Sequence, residues 1–276
     1  MSCRTKRHFL NFTSAILTLV GLFVFALSFA GCKDKSTSAA PPEKRTGAPP
    51  LVRATLITTP SWTGQSDPLD DAVWAKANWY LLQSPMNTSR TTPPVRAAML
   101  YDADALYVAF VSDTAPPPPS PIAKDIVSVF LDTSSAANGT ETVQISVDVT
   151  GQHRCTWIRA SIPATPKDDG SPELSHPLNR IPDHAVKGLT AAVRSTTLNG
   201  TPVWTTVITI PLKNLPIPLR PSSPATGQRW KINLLRTITT ADTGSGSQQL
   251  QANLSPVHLN AQAVSPYRMA VLELTK

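Results

Sequence analysis

The sequence predicts an all-β protein: a two-sheet antiparallel β-sandwich of jelly-roll type, preceded by an export signal and a tether. Three observations carry this. Short runs rich in Val, Ile, Thr and aromatic residues alternate apolar with polar positions. Turn formers, including 27 Pro, separate these runs. Helical periodicity is almost absent. Charged residues make up only 16% of the chain against 41% apolar, so a sizeable core is available and the surface must be built from neutral polar residues.

Taken from the N-terminus, Cys3 to Arg7 is basic, and Phe9 to Ala30 is an apolar run. The run ends in Leu27-Ser28-Phe29-Ala30-Gly31-Cys32, which resembles a bacterial lipobox. Residues 1–31 are therefore expected to be a lipoprotein signal peptide, with Cys32 lipidated and becoming the first mature residue. An uncleaved membrane span is the rival reading, since spanning needs roughly 20 apolar residues. Residues 32–50, rich in Pro, Ser and charge, read as a disordered tether. The expected location is the exported side of the cell membrane or outer membrane. Loss of Arg4, Lys6 and Arg7 leaves 22 Lys+Arg against 18 Asp+Glu, a net charge of +4. No basic face interleaved with aromatics appears, which argues against nucleic acid. Cys155 is the only cysteine left beyond the lipidated one, so the domain must hold by its core.

The domain is placed at 51–276. Asp70-Asp71 before Ala72–Ala77 reads as an acid-capped helical turn. Val95–Tyr101 and Leu106–Val111 form a hairpin around Asp102–Ala105. Ile126–Leu131 is a strand. Thr142–Val149 alternates so that Val143, Ile145, Val147 and Val149 face the core and Gln144 and Asp148 face away. After the turn at Gly151, Cys155–Ile158 begins the partner strand. Trp204–Ile210, Trp230–Ile238 and Ala270–Leu274 are the last strands, while Thr114–Pro121 and Pro163–Lys187 read as irregular.

Five segments resemble carbohydrate-binding module family 9-like domains: Asp67–Ala77, Tyr101–Phe110, Asp125–Asp132, Trp204–Pro211 and Gly227–Arg236. The resemblance implies a β-sandwich and a sugar ligand. Where the family has Glu, this chain has Ser128 and Val207; where it has Trp, this chain has Ile122 and, near the C-terminus, Leu254.

Sugar recognition needs aromatic faces for the ring and planar polar groups for its hydroxyls. Trp74, Trp204 and Trp230 are expected in the core. The candidate carbohydrate-binding residues are Trp157, Arg159, Trp62, Trp79, Gln144, Asp148, Asn233 and Arg236. A solvated sheet face is the competing account of Gln144 and Asp148. Asn233 and Arg236, three apart on a strand, should face opposite ways, making one of them structural. Asp102 and Asp104 are a candidate calcium pair, against the plainer account that they cap their own turn. Met99 and Met269 are the only thioethers on core-like strands, and packing explains them better than haem ligation. The expected protein is a monomeric, membrane-anchored binder of poly- or oligosaccharide with no catalytic activity and no cofactor. The alternative is an envelope structural or interaction module with a degenerate sugar site.

Overall fold

The structure is a computed structural model that describes residues 49–58, 69, 72–84, 92–114, 124–134, 141–160, 178–198, 200–242, 246–255 and 269–276. The lipobox, nearly all of the tether, Trp62, Ile122 and Asp70-Asp71 lie outside the described residues. Among the described residues thirteen strands form: β1 (Leu51–Leu56), β2 (Trp79–Leu81), β3 (Val95–Tyr101), β4 (Ala105–Ser112), β5 (Lys124–Asp132), β6 (Glu141–Asp148), β7 (His153–Ala160), β8 (Leu178–Ile181), β9 (Thr190–Leu198), β10 (Thr201–Pro211), β11 (Arg229–Asp242), β12 (Gly246–Asn253) and β13 (Ala270–Thr275). Three short 3₁₀ turns, at Ala72–Lys76, Leu212–Asn214 and Ile217–Leu219, are the helical elements among the described residues.

The expected hairpins are present. Tyr101 pairs with Leu106 across the Asp102–Asp104 turn, and Ile145 pairs with Cys155 across the Gly151 turn. Gly151 takes φ +83°, a left-handed value that costs a glycine nothing.

The sheet organisation corrects the expectation in two respects. Hydrogen bonding runs through one path, β8-β7-β6-β5-β11-β13-β1-β3-β4-β10-β9, with β12 beside β11 and β2 beside β3. The expected two sheets are thus joined. The join is β1, which pairs parallel with both β13 and β3, so the assembly is not purely antiparallel. Alternation predicts which face a residue takes but not the direction of the neighbouring strand, so this feature was invisible beforehand. A third correction concerns residues 163–187: β8 lies inside that segment, for which the sequence predicts irregular structure.

The sheet curls so that its two wings share one core. Val127, Val129 and Leu131 of β5 and Val143, Ile145 and Val147 of β6 enter the same buried cluster as Leu106, Val108 and Phe110 of β4. Trp204 and Trp230 join them at 1% and 4% exposure, as expected. At the far end, a Cβ placed on Gly151 would lie 3.8 Å from Val193 of β9, so the β6–β7 turn abuts the opposite wing.

The outer faces are treated differently. On the β3–β4–β10 wing, Ala98, Leu100, Tyr107, Ala109 and Val207 form a second apolar cluster closed by Trp74. Val207, at a position where the resembled family has Glu, is buried there. On the β5–β7 wing, one end is closed by Phe130, Ile158 and Met269 with Leu235 against them. The other end stays polar and open.

Candidate functional site

The open end follows from strand alternation. Ile126 pairs with Asp148, Ser128 with Ser146, and Phe130 with Gln144. Because Val127, Val129, Val143, Ile145 and Val147 point inward, this other set must point out. Across β6 and β7, Gln144 pairs with Thr156 and Ser146 with Arg154. Arg180 of β8 pairs with Ile158 and so joins the same face. The result is a groove of about 650 Å³ lined by Lys124, Ile126, Gln144, Ser146, Asp148, Val149, Gln152, His153, Arg154, Thr156 and Arg180, among others.

Short-range bonds organise its floor. The Ser128 and Ser146 hydroxyls lie 2.8 Å apart, and the Gln144 amide donates to Ser146 Oγ at 3.2 Å. Arg180 Nη1 reaches Gln144 Oε1 at 3.5 Å. Asp148 builds the end wall: its Oδ1 accepts from the Thr150 amide, the Thr150 hydroxyl and the Gln152 amide at 2.9, 2.6 and 3.1 Å. Arg154 stands at the rim, 3.3 Å from Asp183, with both side chains about three-quarters exposed (74% and 75%).

The structure sorts the eight candidate binding residues. Gln144 and Asp148 meet in the groove. Trp157 and Arg159 sit on the opposite face of the same sheet, on the side of Cys155. There Trp157 is half-buried against the main core and its Nε1–H donates to Glu141 Oε2 at 2.5 Å. Arg159 lies 4.9 Å above the Trp157 ring and bonds Glu141 at 3.2 Å, while His184 approaches the same ring at 5.5 Å. Trp79 packs beside Trp74 at 6.1 Å, with the Arg96 guanidinium 5.9 Å from its ring centre. Trp62 lies outside the described residues.

Asn233 and Arg236 do face opposite ways, but both are buried, at 0% and 1% exposure. Asn233 Oδ1 accepts from the Ser255 amide at 3.2 Å and so ties β11 to the residues after β12. Arg236 is held by Asp125 inside the core. Their expectation as ligand contacts is corrected: neither reaches solvent, and each serves the fold.

Asp102, offered as a calcium ligand, uses Oδ1 for the Asp104 and Ala105 amides, both at 2.8 Å, and Oδ2 for the Tyr107 hydroxyl at 2.7 Å. Burial and that neighbouring carboxylate raise the Tyr107 phenol far above its ordinary pKa. Asp104 is exposed and faces Lys213 at 3.6 Å. No group of three or more His, Cys, Asp or Glu gathers as a metal cradle among the described residues. Met99 and Met269 are buried in apolar clusters.

Sequence reasoning missed Ser146, Arg154, Thr156, Lys124 and Arg180 as partners of Gln144 and Asp148. The alternation of β6 and β7 already places the first three, Ser146, Arg154 and Thr156, outward. Only their pairing register brings them beside Gln144.

No family model matches the sequence, and neither does any curated protein. Among solved structures, the fold is shared with a candidate carbohydrate-binding protein of Bacteroides uniformis, at 12% identity and TM-score 0.52, over 82% of this chain and 100% of that one. A family 9 carbohydrate-binding module of Caldicellulosiruptor kristjanssonii in complex with glucose matches at 14% identity and TM-score 0.46, over 81% of this chain and 95% of that one. The module's complex with cellotriose matches at 14% identity and TM-score 0.44, over 82% and 93%. At that identity, the likeness to the Bacteroides uniformis protein establishes a shared fold alone.

Proposed function

We propose that the protein is an exported, lipid-anchored carbohydrate-binding protein, without catalysis of its own, and that the outer groove of β5–β8 is its binding surface. The observation that carries this reading is the groove itself. An amide, hydroxyls and guanidinium groups converge on one strand-built face, and these are the groups that match a sugar's hydroxyls. The shared fold with a candidate carbohydrate-binding protein supports it. Affinity in the millimolar to micromolar range, about −4 to −8 kcal/mol, suits an open site.

The test is calorimetric titration of the purified chain with a panel of neutral and acidic oligosaccharides. Binding that is weakened by Gln144→Ala supports the proposal. Binding to none of them sinks it and leaves the envelope structural module, which the buried, apolar Val207 favours.

Anchoring rests on the lipobox and the tether. A lipidated Cys32 carries several acyl chains, each buried methylene adding about 0.8 kcal/mol, so attachment would be stable. Cys32→Ser should move the protein from the membrane to the soluble fraction and abolish palmitate labelling. Retention at the membrane would point instead to an uncleaved span.

A further inference from the structure

We infer that the ligand of the outer groove is an acidic glycan, a chain bearing carboxylate or sulfate groups. This rests on the carbohydrate-binding reading and specifies its ligand class.

Two properties of the groove lead there. The first is charge. Lys124, Arg154 and Arg180 line it, against the carboxylates Asp125 and Asp148. Asp125 is neutralised from within by Arg236, 2.6 Å away, and Asp148 spends Oδ1 on three donors of its own turn. Arg154 meets Asp183 only at an exposed rim, where such a pair is worth little and a ligand can compete. Among the described residues, Arg180 has one long contact, to Gln144 at 3.5 Å. Each guanidinium carries five donors in a planar fork suited to carboxylate or sulfate oxygens, so most of that capacity faces the groove unspent.

The second property is the chemistry of the lining. Among the described residues it contains no Trp, Tyr or Phe, and its apolar contribution comes chiefly from Ile126 and Val149. Neutral sugars draw much of their affinity from stacking on aromatic faces. A groove without that platform must rely on hydrogen bonds, and charge-assisted ones are the strong kind.

The spacing favours a chain over a single anion. Arg180 stands opposite Ile158, four residues along β7 from Arg154. The two guanidinium-bearing positions are thus separated by about 13 Å along the strand. Gln144, Ser146 and Thr156 lie between β5 and β8 to receive hydroxyls.

The experiment uses the full chain in detergent, titrated with tetragalacturonate, a sulfated tetrasaccharide and cellotetraose. The acidic ligands should bind at least about tenfold more tightly than cellotetraose, and the difference should shrink as salt rises from about 0.05 to about 0.5 M. The two acidic probes tell carboxylate from sulfate preference. Arg154→Gln with Arg180→Gln should remove about tenfold of acidic-ligand affinity at an unchanged circular dichroism spectrum. Lys213→Ala, on the other wing beside Asp104, should change nothing.

Cellotetraose binding as tightly as the acidic ligands, without salt dependence and indifferent to the double Arg variant, overturns the inference and leaves carbohydrate binding standing. So does an equal loss in Lys213→Ala, which would reduce the effect to net charge. Failure of all three ligands to bind overturns both readings.

Discussion

Arg236 and Asp125 form a two-point ion pair inside the sandwich, Nε to Oδ1 at 3.0 Å and Nη2 to Oδ2 at 2.6 Å, with 1% and 0% side-chain exposure. The guanidinium also lies 5.7 Å from the Trp204 ring centre and donates to Thr114 Oγ1 at 3.3 Å. β5, β10 and β11 are therefore tied at one point, and Nη1 has no hydrogen-bond partner among the described residues. Removing one charge strands the other in the core. Arg236→Ala should cost about 3–5 kcal/mol by urea denaturation, and Asp125→Ala a similar amount. The double replacement Arg236→Met with Asp125→Leu should recover most of it, because two apolar side chains leave no buried charge. A double variant as unstable as either single one would show that the pair acts through something other than charge.

Trp157 lies on the face opposite the groove, its ring in contact with Arg159 and His184. From sequence alone it was the aromatic expected to stack on sugar. Its placement predicts a different phenotype. Trp157→Ala should lose about 2 kcal/mol of stability, less than a fully buried Trp, and leave groove binding intact. Loss of binding at unchanged stability would return Trp157 to the site.

Asp132 is mostly buried beside the outer cluster, its Oδ1 accepting from the Ser134 amide at 2.8 Å and the Ser134 hydroxyl at 2.5 Å. Desolvation raises its pKa above the ordinary value, with the Ser134 bonds opposing. An acid whose folded pKa is raised contributes stability below the unfolded pKa and loses that contribution as pH rises through the folded one. Asp132→Asn should therefore be no less stable than the parent at pH 7. Its advantage should shrink as pH falls through the raised pKa towards the ordinary carboxylate value, and stay constant below it. A variant that loses stability only at neutral pH would contradict this sign.

Cys155 is buried at 5% exposure, and desolvation pushes its thiol up to about 12. The thiolate is the reactive form, so native protein at pH 8 should leave Cys155 unmodified by thiol reagents. Modification should appear together with unfolding in urea. Rapid labelling of the native chain would mean that the β7–β8 end of the sheet opens.

The inward and outward faces of the strands were legible because a side chain's face depends only on its parity along the strand. Val143, Ile145, Val147, Gln144 and Asp148 are all where the alternation of Thr142–Val149 puts them. The core role of Trp204 and Trp230, and the opposed directions of Asn233 and Arg236, follow from the same local rule. The burial of Asn233 does not. Its amide oxygen is bonded by Ser255, 22 residues away, and nothing in the β11 sequence announces that partner.

What the sequence determined by itself was thus local: strand identity, hairpin turns at Asp102 and Gly151, and the parity that separates core from surface. Tertiary structure alone decided which strands became neighbours. It made β1 parallel to both β13 and β3, laid β8 beside β7, and so brought Arg180 to Gln144. Parity is fixed by covalent geometry within a few residues. Register and strand order are set by which distant apolar faces bury each other, and that energy belongs to the whole chain.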